Sequence, residues 1–342
     1  TEIRDQYGDD RRTELIEDDS ATLPVVENKP VAEDTAILRL RDGQLRRMSP
    51  RMVDKYLAQP GAKDEVVETI QTATDETLYF FTNRGNCFML DVTRIPETMK
   101  LKDRGSLLTG LIAGLADHEH AVALVCVKSD EMTKKGDFLF ITKNGQVKRT
   151  AAAEYGIRRA RFAAINLKGN DELVGMVQVD PEDKDDIILI TQLGMALRFK
   201  LDTVSCTGRA TAGVRGIDVG KDDEVRWFEI PKAGDMLFVL SDRGFGKRML
   251  SDDVERQGRA GKGQKLLPMN KTGETGTQVA VCLNVTGAKS VRVEQKHGHT
   301  VLLNMDEIAV ERRASKGQLL VNVLLDDVVQ YGALTAETKD EK

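Results

Sequence analysis

The stretch FLFITKNGQVKRTA at residues 138–151 carries the reading of the fold. Phe138, Leu139, Phe140 and Ile141 form the apolar run expected of a strand buried in a sheet. Asn144-Gly145 follows, and glycine supplies the positive φ that a tight hairpin turn requires. Residues 146–151 then read as the returning strand.

Working outward, the same pattern recurs five more times. It reads AILRLRDGQLRRMS at 36–49, LYFFTNRGNCFMLD at 78–91 and IILITQLGMALRFK at 187–200. It returns as MLFVLSDRGFGKRM at 236–249 and VRVEQKHGHTVLLN at 291–304. The turn glycines Gly43, Gly85, Gly145, Gly194, Gly244 and Gly298 stand 42 to 60 residues apart. After each hairpin comes a polar step such as LDTVS (201–205), SDDVE (251–255) or MDEIA (305–309). A basic loop and a short apolar strand follow, as in AAINL (163–167), VRGIDV (214–219), QKLLPM (264–269) and GQLLVNV (317–323). A last strand such as ELVGMVQV or EVRWFEI closes the unit. Four strands per repeat of about 50 residues is the signature of a propeller blade. Two unrelated β domains would not keep six turn glycines in phase. The expectation is an all-β, propeller-like array of four-stranded blades over 35–334. An acidic linker at 1–34 and a polar tail at 335–342 flank it.

Charge is sorted along the chain. Residues 1–34 hold 4 basic and 11 acidic residues, whereas 35–334 hold 44 basic and 41 acidic, a net of +3. The repeat body is therefore mildly basic although the whole chain carries −5. No run approaches the roughly 18 apolar residues that span a bilayer, so a cytoplasmic protein without a membrane partner is expected. The opening TEIRDQYGDD lacks the features of a signal peptide and reads as a cut through a longer protein. Cys87, Cys126, Cys206 and Cys282 lie far apart beside apolar runs and are expected to be buried free thiols. Aromatics are 5%, too few for a surface that stacks single-stranded bases.

Several segments together resemble the C-terminal domain of the A subunit of bacterial type IIA topoisomerases, DNA gyrase and topoisomerase IV. They are YGDDRRTELIEDD (7–19), NRGNCFMLDVTRIPE (83–97), NGQVKRTAAAEY (144–155) and RATAGVRGIDVGKDDEV (209–225). The resemblance implies a six-bladed β-pinwheel that binds and bends duplex DNA for the cleavage core. Its implied partners are the catalytic core and the B subunit, with ATP and magnesium on other domains. The isolated domain is expected to need no cofactor and to be monomeric. Gyrases of this family carry a Gln-Arg-Arg-Gly-Gly-Lys-Gly box after the first hairpin. Here YLAQPGAKDEVVE (56–68) stands in that place with one lysine. A partial match, Gln257, Gly258, Arg259, Ala260, Gly261, Lys262 and Gly263, sits in the fifth copy instead. That departure, with LKDRGSLL (101–108), favours a topoisomerase IV-like protein, the alternative being a gyrase A wrapping domain with a degenerate box. The family's nucleophile is a tyrosine preceded by arginine, and none of the five tyrosines here has that context.

Duplex DNA presents a line of phosphates, so a protein bends it with Lys and Arg along a curved rim. The candidates are Arg158, Arg159 and Arg161 in the third copy, and Arg209 and Arg215 in the fourth. The fifth offers Arg256, Arg259, Lys262 and Lys265, and the sixth Arg312, Arg313 and Lys316. The second-strand pairs Arg46-Arg47, Lys148-Arg149 and Lys247-Arg248 are candidates to extend the rim. His118, His120, His297 and His299 lack a third metal ligand in spacing, and Asp185-Asp186, Asp222-Asp223 and Asp252-Asp253 read as solvated loop acids. No nucleotide-binding or hydrolase motif occurs. A protein-interaction propeller is the competing reading, and it predicts salt-tolerant binding.

Overall fold

The computed structural model describes residues 31–335, except 60–65, 158, 183 and 271. Most of the expected linker, and the tail from 336, lie outside the described residues. All six expected hairpins are present, and each turn is closed by a hydrogen bond from the glycine N–H to the carbonyl three residues earlier. Every turn glycine has positive φ, from 74° to 89°. Asp42, Arg84 and Asn144 do not, so the turns follow the pattern of a longer loop ending in a glycine bulge rather than a two-residue turn. In blades 2 to 5 a hydroxyl at the turn start, Thr82, Thr142, Thr191 or Ser241, accepts from the N–H four residues on. Gly244 has a second duty: Val321 N–H donates to its carbonyl, and a Cβ there would run into the Val321 carbonyl.

The strand order departs from an ordinary propeller. In the third blade the hairpin strands Asp137–Thr142 and Gln146–Ala151 are flanked by Leu173–Val179 on one side and Val214–Arg215 on the other. Val214–Arg215 belongs to the next repeat. Five blades borrow a short strand in this way: Ser106–Leu107, Arg161–Ala163, Val214–Arg215, Gln264–Lys265 and Gln318–Leu319 each pair with the preceding blade's second hairpin strand. The expected four-stranded units are therefore shared between repeats. In the third to sixth blades the strand on the other side of the hairpin is bonded to the previous blade's turn: Leu173, Val225, Val279 and Val329 donate their N–H to the carbonyls of Asn83, Lys143, Gln192 and Asp242.

Cores lie between blades. Phe80 faces the first blade, stacked on Phe88 with centroids 5.0 Å apart. Its neighbour Phe81 faces the third, edge-on to Phe138, Phe140 and Tyr155. Successive strand residues point to opposite faces, and both faces are covered, which is why the runs are continuously apolar. Full burial of such a ring contributes about 1.5–3 kcal/mol.

The ring has a seam. The first blade's outer face (Ala36, Leu38, Leu40, Met48) is covered by Val53 and Tyr56 of helix α1, Pro50–Leu57, which begins on proline at its first turn. The all-β pattern does not anticipate this helix. The sixth sheet has three strands among the described residues, and Leu302 on it is 63% exposed. The two end blades meet through Arg41, whose Nη1 lies 2.6 Å from Glu294 Oε2 while its guanidinium sits 4.8 Å over Tyr331. An exposed pair of this kind contributes about 0–1 kcal/mol. Arg41→Ala is therefore expected to broaden the distance distribution between spin labels on the two end blades while moving the unfolding midpoint little.

Candidate nucleic-acid interface

Four interblade connections start back toward the preceding blade. Thr98, Thr207, Gln257 and Glu311 donate their N–H to the carbonyls of Arg47, Arg149, Arg198 and Arg248 on second hairpin strands. The connection then loops out and delivers the short strand. The loops touch one another in sequence: Arg209 Nη1 donates to the Ala163 carbonyl at 3.1 Å, Arg259 Nη1 to that of Arg215 at 2.7 Å, and Arg313 Nη1 to that of Lys265 at 2.8 Å. Ala163, Arg215 and Lys265 occupy the same place relative to the turn glycine of the blade they pair with, so these arginines join four loops into one strip. Gly213, Gly263 and Gly317 precede the short strands because a Cβ there would meet the carbonyl of Val147, Ala196 or Gly246.

Along this strip Arg159, Lys262, Lys265, Arg312 and Lys316 are exposed with no side-chain ion pair among the described residues. Arg215 is exposed and 3.4 Å from Asp218. Arg161 lies over Phe88 and donates to the Gly114 carbonyl. Arg256 holds Asp186 at 2.9 Å, with half its side chain open to solvent. Arg158 lies outside the described residues. In the box-like loop, Ala260 adopts φ 68° and donates to the Gly216 carbonyl, and the Gly261 carbonyl accepts from Asp218 N–H.

The second-strand bases are not rim charges. Lys148 and Lys247 are fully buried. Lys148 Nζ donates to the carbonyls of Ala164 (3.0 Å) and Arg209 (2.5 Å), and Lys247 Nζ to those of Arg312, Arg313 and Ser315. Burial lowers both ammonium groups to about 8. Arg149 is buried on Asp137 at 2.6 Å and reaches the Pro181 carbonyl, while Arg248 Nε donates to that of Ile308. Arg47 similarly holds the Ile95 carbonyl, and Arg46 lies over the Tyr56 ring. Arg198, which the sequence reading passed over, joins Asp186 (2.7 Å) to Asp252 (3.0 Å). Their signal was available: a Lys or Arg recurs three and four residues after the turn glycine, inside strands whose neighbours are apolar.

Other expectations are corrected. Asp186 is 3% exposed, and Asp223 braces a turn by accepting from the N–H groups of Leu193 and Glu224, so these are not solvated acids. Cys87, Cys126 and Cys282 are buried, but Cys206 is exposed because its backbone, not its side chain, pairs with Arg149. The four histidines are exposed. Among the described residues no group of potential metal ligands gathers, and no helix is long and apolar enough to cross a membrane.

A strand-exchanged ring of six blades with a basic loop strip defines the class, a β-pinwheel. The family model described as "DNA gyrase C-terminal domain, beta-propeller" matches residues 136–180, 185–232 and 235–276, the third to fifth repeats. The A subunit of DNA gyrase from Deinococcus deserti is 33% identical across 99% of this chain, and that from Staphylococcus aureus is 28% identical across all of it. The chain spans 42% and 39% of those proteins. The crystal structure of the C-terminal domain of DNA topoisomerase IV superposes with TM-score 0.79 over 89% of this chain and 94% of that one, at 24% identity. The structure of the DNA gyrase A C-terminal domain gives 0.61 over 89% of this chain and all of that one, at 19% identity. The chain belongs to the family of C-terminal domains of type IIA topoisomerase A subunits.

Proposed function

We propose that this domain binds duplex DNA along the strip of interlocked loops and bends it toward the cleavage core of a type IIA topoisomerase. The observation that carries the reading is the head-to-tail chain Arg209–Ala163, Arg259–Arg215 and Arg313–Lys265, which aligns Arg159, Arg215, Lys262, Lys265, Arg312 and Lys316 on adjoining loops. Cations spaced along a curve match a bent line of phosphates and contact no base edges, so binding is steep in salt and tolerant of sequence. In the full enzyme the catalytic core and B subunit would be partners, with ATP and magnesium held on other domains. The test is a mobility shift of linear duplex at about 50 mM salt, where phosphate binding is strong. A shift that fades steeply as salt rises supports the proposal; no shift at low salt sinks it, and salt-tolerant capture of a protein would instead support an interaction propeller.

Between the two enzymes of the family, we favour a topoisomerase IV-like role. The relatives above carry the gyrase name, but the segment standing where a gyrase carries its basic box, residues 56–68, holds one lysine and no arginine. The basic strip accordingly begins at the third repeat's loop, a partial arc that bends DNA with little one-handed writhe. Religation of nicked circles in the presence of the domain is expected to change linking number only slightly; a large one-handed change would assign the domain to gyrase.

A further inference from the structure

We infer that Lys148 and Lys247 are positioning residues for DNA binding, holding the rim loops in their phosphate-accepting shape from beneath without touching the phosphates themselves. The inference rests on the DNA-binding reading of the strip and adds residues to it that no exposed surface shows.

The geometry places each ammonium under one loop. Lys247 Nζ gathers three carbonyls, those of Arg312 (3.0 Å), Arg313 (2.6 Å) and Ser315 (2.5 Å), so its three protons match three acceptors. Successive carbonyls turned inward leave the side chains of Arg312 and Lys316 directed away from the core, and both are exposed. Lys148 Nζ does the same for two loops at once, taking the Ala164 carbonyl beside the short strand Arg161–Ala163 and the Arg209 carbonyl of the next loop. Arg209 in turn donates to Ala163, so Lys148 anchors both ends of one link in the strip. The fold does not demand a cation in this position. Phe88 and Leu197 stand at the same place after the turn glycine in the second and fourth blades, and both are buried. Apolar side chains fill that place in those two blades, and beneath the two basic loops it is filled by a lysine whose ammonium gathers the loop carbonyls.

Protonation is part of the device. The charged groups near Lys247 are Glu311, Arg313 and Asp253, and the titratable groups near Lys148 are Arg209, Glu154 and Cys206. Burial sets both lysines at about 8, below the ordinary 10.5. The unfolded chain therefore binds more protons between about pH 8 and 10.5, and folding stability rises with pH across that window. The neutral amine has one proton fewer for its carbonyls, so loop order falls over the same range. DNA affinity and fold stability should move in opposite directions as pH rises, which a purely structural lysine would not produce.

The experiment uses the whole chain and a linear duplex, with affinity measured across a series of salt concentrations. Lys247→Met keeps an unbranched apolar stem without the ammonium. It is expected to lower affinity by about tenfold, the scale of one charge-assisted hydrogen bond, with the slope of log affinity against log salt unchanged. Arg312→Gln, which removes a phosphate contact, is expected to lower that slope by about 0.9. Unchanged affinity in Lys247→Met overturns the proposal, and so does a slope reduced as in Arg312→Gln, because the lysine would then be reaching phosphate itself. Should the methionine variant not fold, the parent protein decides: affinity falling between pH 7 and 9 at constant slope supports the proposal, and a flat profile overturns it. If the parent binds no duplex at any salt, it is the DNA-binding reading that fails instead.

Discussion

Replacing Arg215, Lys262, Lys265, Arg312 and Lys316 together with glutamine is expected to weaken duplex binding by at least about a hundredfold, since the salt-dependent phosphate term supplies most of such affinity. The salt slope should fall by about 0.9 for each residue that had neutralised a phosphate. These five side chains are exposed, so the fold should be retained and the unfolding midpoint nearly unmoved. An equal loss of affinity on replacing Lys55 and Lys134, which lie off the strip, would show a diffuse charge effect and remove the strip as the binding path. Mobility shifts and fluorescence anisotropy over a salt series read both quantities.

Phe81→Ala is expected to destabilise the domain by about 3–5 kcal/mol, the range for deleting a buried ring. Phe81 is fully buried, with Phe138 and Phe140 each 5.5 Å away and Tyr155 at 5.6 Å, all near edge-on. The loss propagates toward the rim, because the Tyr155 hydroxyl and Lys148 Nζ both donate to the Ala164 carbonyl. DNA affinity should therefore drop with stability in this variant, unlike in the rim variant. Leu302→Ala, on the exposed face of the sixth blade, serves as the contrast and should change stability by no more than about 0.5 kcal/mol. Denaturant unfolding separates the two; a loss below about 1 kcal/mol for Phe81→Ala would contradict the interblade core.

How far each part was legible depended on the distance over which it is decided. The hairpins were plain, because a strand run, a glycine at positive φ and a returning strand lie within about 14 consecutive residues and obey local backbone sterics. The basic loops were plain as composition, and several of their residues do reach the surface. What misled was the pair after each turn glycine. Lys148 and Lys247 look like surface charges by residue type, yet their partners lie as far as 61 and 68 residues away along the chain. Their apolar neighbours in the strand signal burial, but not which carbonyls, arriving from another loop, meet the ammonium.

The six-fold repeat, its turn chemistry, the apolar runs that must be covered on both faces and the uneven placing of basic loops are all written in the order of residues along the chain. Packing between blades sets which blade each short strand joins, brings the end blades together at the seam through Arg41 rather than a shared sheet, and selects which cations face inward. The first set follows from neighbours in the chain and their φ and side-chain alternation. The second depends on hydrogen bonds and burial between residues brought together only when successive blades pack.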